Sequence, residues 1–169
     1  MIRFWKVARV AALAVAAGLL TGGIAAADCP SSGGTGRYVE IPTDRLMSAD
    51  PPIHVVAAGG PTRMETCASV PGEGWARGLP HFELGLQPIE FGSLGGGALV
   101  FEVQGACASF LLVLDSYGAW HYGRAMPDQP GPVVTITDPR SGLHQVWIGA
   151  RTPGECTVGL RIGTIVYPD

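Results

Sequence analysis

From residue 81 to residue 166 the chain is cut into short apolar runs by glycine, proline and aspartate turns, and this punctuation limits its fold more than any other feature. His81–Leu86 alternates polar and apolar residues with period two, and Ala98–Val103 does so in part. Ser109–Leu114 is continuously apolar, as a core strand is. Ala119–Tyr122 is short and aromatic, Pro132–Thr137 is β-branched, and Leu143–Ile148 and Thr157–Val166 close the chain. The separators are Gly95-Gly96-Gly97, Asp115-Ser116-Tyr117-Gly118, Asp138-Pro139-Arg140-Ser141-Gly142 and Thr152-Pro153-Gly154. In the second of these the aspartate carboxylate can accept a backbone N–H two residues on, while the glycine takes the position of positive φ. Short runs bounded by such turns are strands, and a succession of them makes an all-β sandwich or barrel. With 25 glycines and 14 prolines in 169 residues, no long uninterrupted helix is expected.

The first half is less regular. Residues 28–36 (DCPSSGGTG) read as a flexible arm; they are glycine-rich but lack the preceding strand, the lysine and the following helix of a phosphate cradle. Arg37–Ile41, Ile53–Ala57 and Met64–Val70 read as strands. Residues 42–52, with Pro42, Pro51 and Pro52, read as loop, Gly59-Gly60-Pro61 as a turn, and residues 71–80 (PGEGWARGLP) as irregular. A piece of about 50 residues seldom holds a core alone, so residues 37–169 are expected to form one domain.

Residues 1–27 carry Arg3, Lys6 and Arg9, then a small-residue apolar stretch, then Ala25-Ala26-Ala27. This is the pattern of a secretory signal peptide cut after Ala27. The apolar stretch is short for a membrane span, and Asp28 before Cys29 speaks against a lipid-anchored cysteine. No membrane span is expected after cleavage. Removing the three basic residues of the leader from a net charge of −3 leaves −6, and because Lys6 is the sole lysine, every mature cation is an arginine. Lysine chemistry such as a Schiff base is excluded. An acidic, lysine-free surface suits neither nucleic acid nor anionic lipid.

The four cysteines, Cys29, Cys67, Cys107 and Cys156, all follow the leader. An even count in an exported chain favours two disulfides, with three possible pairings. Cys29–Cys67 with Cys107–Cys156 is the favoured one, because Gly105-Ala106-Cys107 and Gly154-Glu155-Cys156 both open strands. The chain has no C-x-x-C pair and no histidine at ligand spacing from a cysteine, so zinc is not expected.

Three phrases in order carry a resemblance: Leu111-Leu112-Val113-Leu114-Asp115-Ser116-Tyr117-Gly118-Ala119-Trp120-His121-Tyr122, then Thr137-Asp138-Pro139-Arg140-Ser141-Gly142, then Gln145-Val146-Trp147-Ile148-Gly149-Ala150-Arg151-Thr152-Pro153-Gly154-Glu155. Through them residues 98–162 resemble the bacterial pre-peptidase C-terminal domain and its small exported relatives, and residues 81–97 fit the lead-in strand more loosely. The resemblance implies a jelly-roll-like β-sandwich over residues 81–166, a bacterial envelope or extracellular setting, and no protease activity of its own, since that module accompanies proteases. Family members often carry an acidic run after the aromatic strand. Here the place reads Gly123-Arg124-Ala125-Met126, which leaves Asp115, Asp128 and Asp138 as weak calcium candidates.

No catalytic constellation stands out. Asp115-Ser116-Tyr117-Gly118 lacks the spacing of an aspartic-protease motif, and no G-x-S-x-G is present. The expected function is therefore a non-enzymatic exported binding or accessory module with an envelope protein or a glycan as partner and no cofactor. Its candidate surface is the loop with Trp75 and Arg77, together with Trp120, His121, Tyr122 and Arg124, since exposed Trp, Tyr and Arg carry binding energy. The alternatives are a purely structural envelope protein and a hydrolase using scattered residues such as Asp115, His121 and Asp138. Phe101, Phe110 and Trp147 read as core and Trp120 as the more exposed tryptophan. His81 and His144, taken as alternating with inward apolar neighbours, read as solvated.

Overall fold

The computed structural model describes residues 28–89 and 96–167; the leader expected over residues 1–27 lies outside them. The described chain forms β1 (Arg37–Glu40), α1 (Thr43–Leu46), β2 (Ile53–Gly60), β3 (Thr62–Arg63), a 3₁₀ turn (Met64–Thr66), β4 (Trp75–Ala76), β5 (Phe82–Leu86), β6 (Gly97–Gln104), β7 (Ala108–Leu114), β8 (Trp120–Arg124), β9 (Val133–Thr137), β10 (Gly142–Ala150) and β11 (Gly154–Val166). Two sheets pack face to face as a β-sandwich. One runs β2-β11-β6-β9. In the other, β10 is flanked by β5 on one edge and β7 on the other, β8 continues beyond β7, and β1 adds to β5 in parallel. The short β4 and β3 extend this sheet where β4 meets β10 at Ala150.

Apart from β1, β3 and β4, the first long strand (β2) pairs with the last (β11), and the second (β5) with the second-last (β10). This two-sheet order is that of a jelly roll.

The core between the sheets follows the alternation seen in the sequence. Phe82, Leu84, Leu99, Phe101, Val103, Leu111, Val113, Val146, Ile148, Leu160 and Ile162 are buried there. The continuous apolar run of β7 has a different cause: both of its faces are covered. Phe110, Leu112 and Leu114 point away from the main core into a second one, built from Trp147, Met64, Val70 and Ala76 and flanked by the Cys29–Cys67 disulfide. The second disulfide joins Cys107, in the turn before β7, to Cys156 on β11. Two disulfides, with no free cysteine among the described residues, are the chemistry of a non-reducing, exported environment. No helix among the described residues is long and apolar enough to cross a membrane.

Several local expectations are corrected. Met64–Val70 is not a strand: Met64–Thr66 forms a 3₁₀ turn, because buried Met64 and Cys67 tie the segment to the second core. Residues 42–52 contain one helical turn, whose Leu46 is driven into the core. Residues 71–80 include β4, and Gly74 lets them pass close to β10; it sits at φ +96, and a Cβ there would lie 2.4 Å from the Ala150 carbonyl oxygen. Gly59 and Gly60 still belong to β2, and the turn expected at Gly59-Gly60-Pro61 carries the chain from there to β3 in the other sheet. Residues 28–36 are held to the body through Cys29, through buried Pro30 and through the Gln145 side-chain amide, which donates to the Gly34 carbonyl at 2.7 Å.

His81 is the clearest correction. It is 6% exposed. It fills the gap along the β10 edge between β5 and β4, where no strand partners Ile148. The Ile148 N–H donates to His81 Nδ1 at 3.2 Å, so Nε2 carries the proton and donates to the Gly59 carbonyl of the opposite sheet at 3.0 Å. Burial, helped by the charge of Arg77, pushes its pKa down to about 4.

Candidate functional site

The polar side chains that the sequence scatters along the turns converge at one end of the sandwich. Asp115 follows β7 and opens the turn to β8. Its Oδ1 accepts the backbone N–H groups of Tyr117 and Ala119, each at 2.9 Å, and Gly118 closes the turn at φ +82. Its Oδ2 accepts from His121 Nε2 at 2.8 Å. His121 pairs with Val113, which belongs to the main core, so its ring faces the opposite sheet. Burial pushes the Asp115 carboxyl up, but the hydrogen bonds from His121, Ala119 and Tyr117 outweigh it and hold it below the ordinary carboxylate range.

His144 stands beside this pair on β10 and is fully buried. The expected outward position is wrong because His144 shares parity with Val146 and Ile148, the inward residues of β10; Leu143 is the residue that faces out. Its Nδ1 lies 3.3 Å from the Gly142 carbonyl, which leaves Nε2 as the bare acceptor. Burial first, with a contribution from His121, holds the ring below its usual pKa against the opposing Gly142 carbonyl and Asp115. Neither His144 Nε2 nor Ser116 Oγ has a hydrogen-bond partner. A buried polar atom left so costs about 1–3 kcal/mol.

The opposite sheet completes the site. Ile136 and Thr137 at the end of β9, then Asp138 and Arg140 in the turn to β10, face Asp115 and His121 across a cleft of about 320 Å³. Asp138 has φ 50, the sole non-glycine residue with positive φ among those described. Tyr117 stands at the rim, 73% exposed, with the Arg140 guanidinium 5.7 Å from its ring centre.

The residues expected to form one binding surface are divided by the pleat of β8. Trp120 and Tyr122 turn to the outer face and join the second core, Trp120 with its ring centre 5.2 Å from that of Trp147 and Tyr122 6.0 Å from Phe110. Arg124, on the same side of the strand, is exposed. His121 points the other way, into the cleft. Trp75 is half-buried in β4, and Arg77 is engaged by Glu155. The three residues named for a hydrolase, Asp115, His121 and Asp138, do line one cleft. Of the calcium candidates, Asp115 and Asp138 share it, whereas Asp128 follows β8 and lies beyond the strand's far end. No three His, Cys, Asp or Glu side chains among the described residues are grouped to hold a metal ion. Sequence reading missed His144, Ser116, Tyr117 and Arg140 as members of the site. The parity of His144 with Val146 was the available signal for the first; the other three read simply as turn residues.

No family model, curated protein or solved structure matches the chain.

Proposed function

We propose that the chain is an exported, non-enzymatic binding module of the bacterial envelope or extracellular space, with the Asp115 cleft as its contact site. The observation that carries this reading is the cleft itself. It combines a fixed Asp115–His121 pair, an exposed aromatic at the rim and two unpartnered polar atoms in its walls. Among the described residues no serine, threonine or tyrosine hydroxyl bonds to His121, whose partner is Asp115. Hydrolysis through a hydroxyl nucleophile activated by a histidine base relies on such a contact. The disulfides, the leader pattern and the resemblance to pre-peptidase C-terminal modules support the exported setting. The partner is an envelope protein or a glycan; nucleic acid does not suit the acidic, lysine-free mature chain.

Photo-crosslinking in an exporting host tests the reading, with the photoreactive group at position 137 on the cleft; amine reagents find no lysine in the mature chain. The expected result is one reproducible partner, lost in Tyr117→Ala and Arg140→Ala and kept in Val55→Ser on the other sheet's outer face. Recovery of the chain alone, or a partner indifferent to these variants, overturns it.

A hydrolase is the second reading, favoured by the shared position of Asp115, His121 and Asp138. Ester, glycoside and peptide substrates offered to wild type and His121→Ala decide it. Equal background rates in both end the hydrolase reading.

A further inference from the structure

We propose that the cleft binds one pyranose unit of a neutral glycan, with Tyr117 as the stacking platform and Asp115, Asp138 and His121 as partners for ring hydroxyls. This rests on the binding-module reading and specifies its ligand.

Charge narrows the ligand first. The cleft is lined by two carboxylates, Asp115 and Asp138, and one guanidinium, Arg140. An anionic ligand meets both carboxylates, and a metal ion finds no group of three ligands among the described residues. What remains is a neutral molecule that both donates and accepts hydrogen bonds. Ionised carboxylates only accept, a guanidinium only donates, and a sugar hydroxyl does both.

Shape narrows it further. The volume of about 320 Å³ lies at the lower end of the roughly 300–1,000 Å³ of small-molecule pockets, enough for one sugar ring. Tyr117 supplies an aromatic face: its backbone N–H bonds to Asp115 Oδ1, which holds the turn, Arg140 lies over one side of its ring, and the residue stays 73% exposed. A pyranose presents an apolar C–H face to such a ring and its hydroxyls to the surrounding polar groups.

The test uses the exported mature chain on an array of neutral glycans ending in glucose, galactose, mannose, arabinose or N-acetylglucosamine, beside uronic-acid and sulfated controls. Calorimetry follows with the best neutral oligosaccharide. The expected result is binding to a neutral terminus, weakened about tenfold or more in Tyr117→Ala and in Asp138→Gly and kept within about twofold in Tyr117→Phe. Melting temperatures of the variants confirm folding. No neutral binding, binding confined to the acidic controls, or binding indifferent to Tyr117→Ala overturns the proposal. A crosslinked protein partner lost in Tyr117→Ala, with no glycan bound, overturns the sugar and leaves the binding module standing; loss of both signals overturns both.

Discussion

His121 Nε2 lies 2.8 Å from Asp115 Oδ2, across the turn that Asp115 Oδ1 itself holds together. One carboxylate thus fixes both the turn that presents Tyr117 and the ring that faces the cleft. Asp115→Ala removes all three hydrogen bonds at once. The expected cost is about 1–3 kcal/mol, read as a lower urea midpoint, and His121 loses its fixed orientation. The pH dependence follows from the lowered carboxyl. Its contribution is present in full above the ordinary carboxylate range and is lost as pH falls through the folded value. Wild type and Asp115→Ala should therefore converge in stability in strong acid. A constant difference between them down to that range counts against the assignment.

His81 should make the fold sensitive to mild acid. Burial holds its folded pKa at about 4, against the ordinary histidine value of 6.5, so the unfolded chain takes up the proton first. The neutral ring's contribution is complete above pH 6.5 and is lost as pH falls toward 4. The difference corresponds to about 3 kcal/mol. Protonation at Nδ1 also removes the acceptor of the Ile148 N–H. Urea unfolding at pH 7 and pH 4.5 measures the loss, which His81→Gln should reduce. An unchanged pH slope in that variant would remove His81 from the explanation.

Asp138 separates function from stability. An aspartate held at φ 50 before a proline is strained, and glycine occupies that region freely. Asp138→Gly should leave the fold as stable or add up to about 1 kcal/mol, while removing a carboxylate from the cleft. A raised melting temperature with lost ligand binding is the expected pair. A destabilised variant would mean that the carboxylate holds the turn itself.

The architecture was legible because strand alternation and turn residues are local signals. Phe101, Phe110 and Trp147 read as core and are buried, and the segments holding Leu84, Val113 and Ile148 read as strands and are. The site was less legible because it depends on which strands become neighbours. His121 and Asp115 are close in sequence, but Asp138 and Arg140 come to them through pairing of the two sheets' ends. Trp120, His121 and Tyr122 looked like one surface as a string of residues; a pleated strand must send the middle one to the opposite face. His81 was misread because its role is to substitute for a missing strand, which no periodicity encodes. The covering segment was misread for a similar reason. Met64 and Val70 are apolar without a strand's pairing, since their partners are the outer face of β7 and β10.

That cover supplies the last prediction. Residues 60–80 and 28–34 lie over Phe110, Leu112 and Trp147 and are fastened by Cys29–Cys67, which closes a separation of 38 residues. Trp147 Nε1 also donates to the Gly78 carbonyl at 3.0 Å. In the loop-entropy model a link of this length contributes about 4 kcal/mol. The link belongs to the cover, however, while the jelly roll has its own core and its own link at Cys107–Cys156. Replacing Cys29 and Cys67 by serine should therefore loosen the cover before the sandwich unfolds. Amide exchange should rise at residues 28–36 and 60–80 and stay slow in β6 and β11. Trp147, fully buried in the intact protein, should become open to acrylamide quenching. Uniformly faster exchange across both sheets would instead make the cover and the sandwich one cooperative unit, with no separable second core.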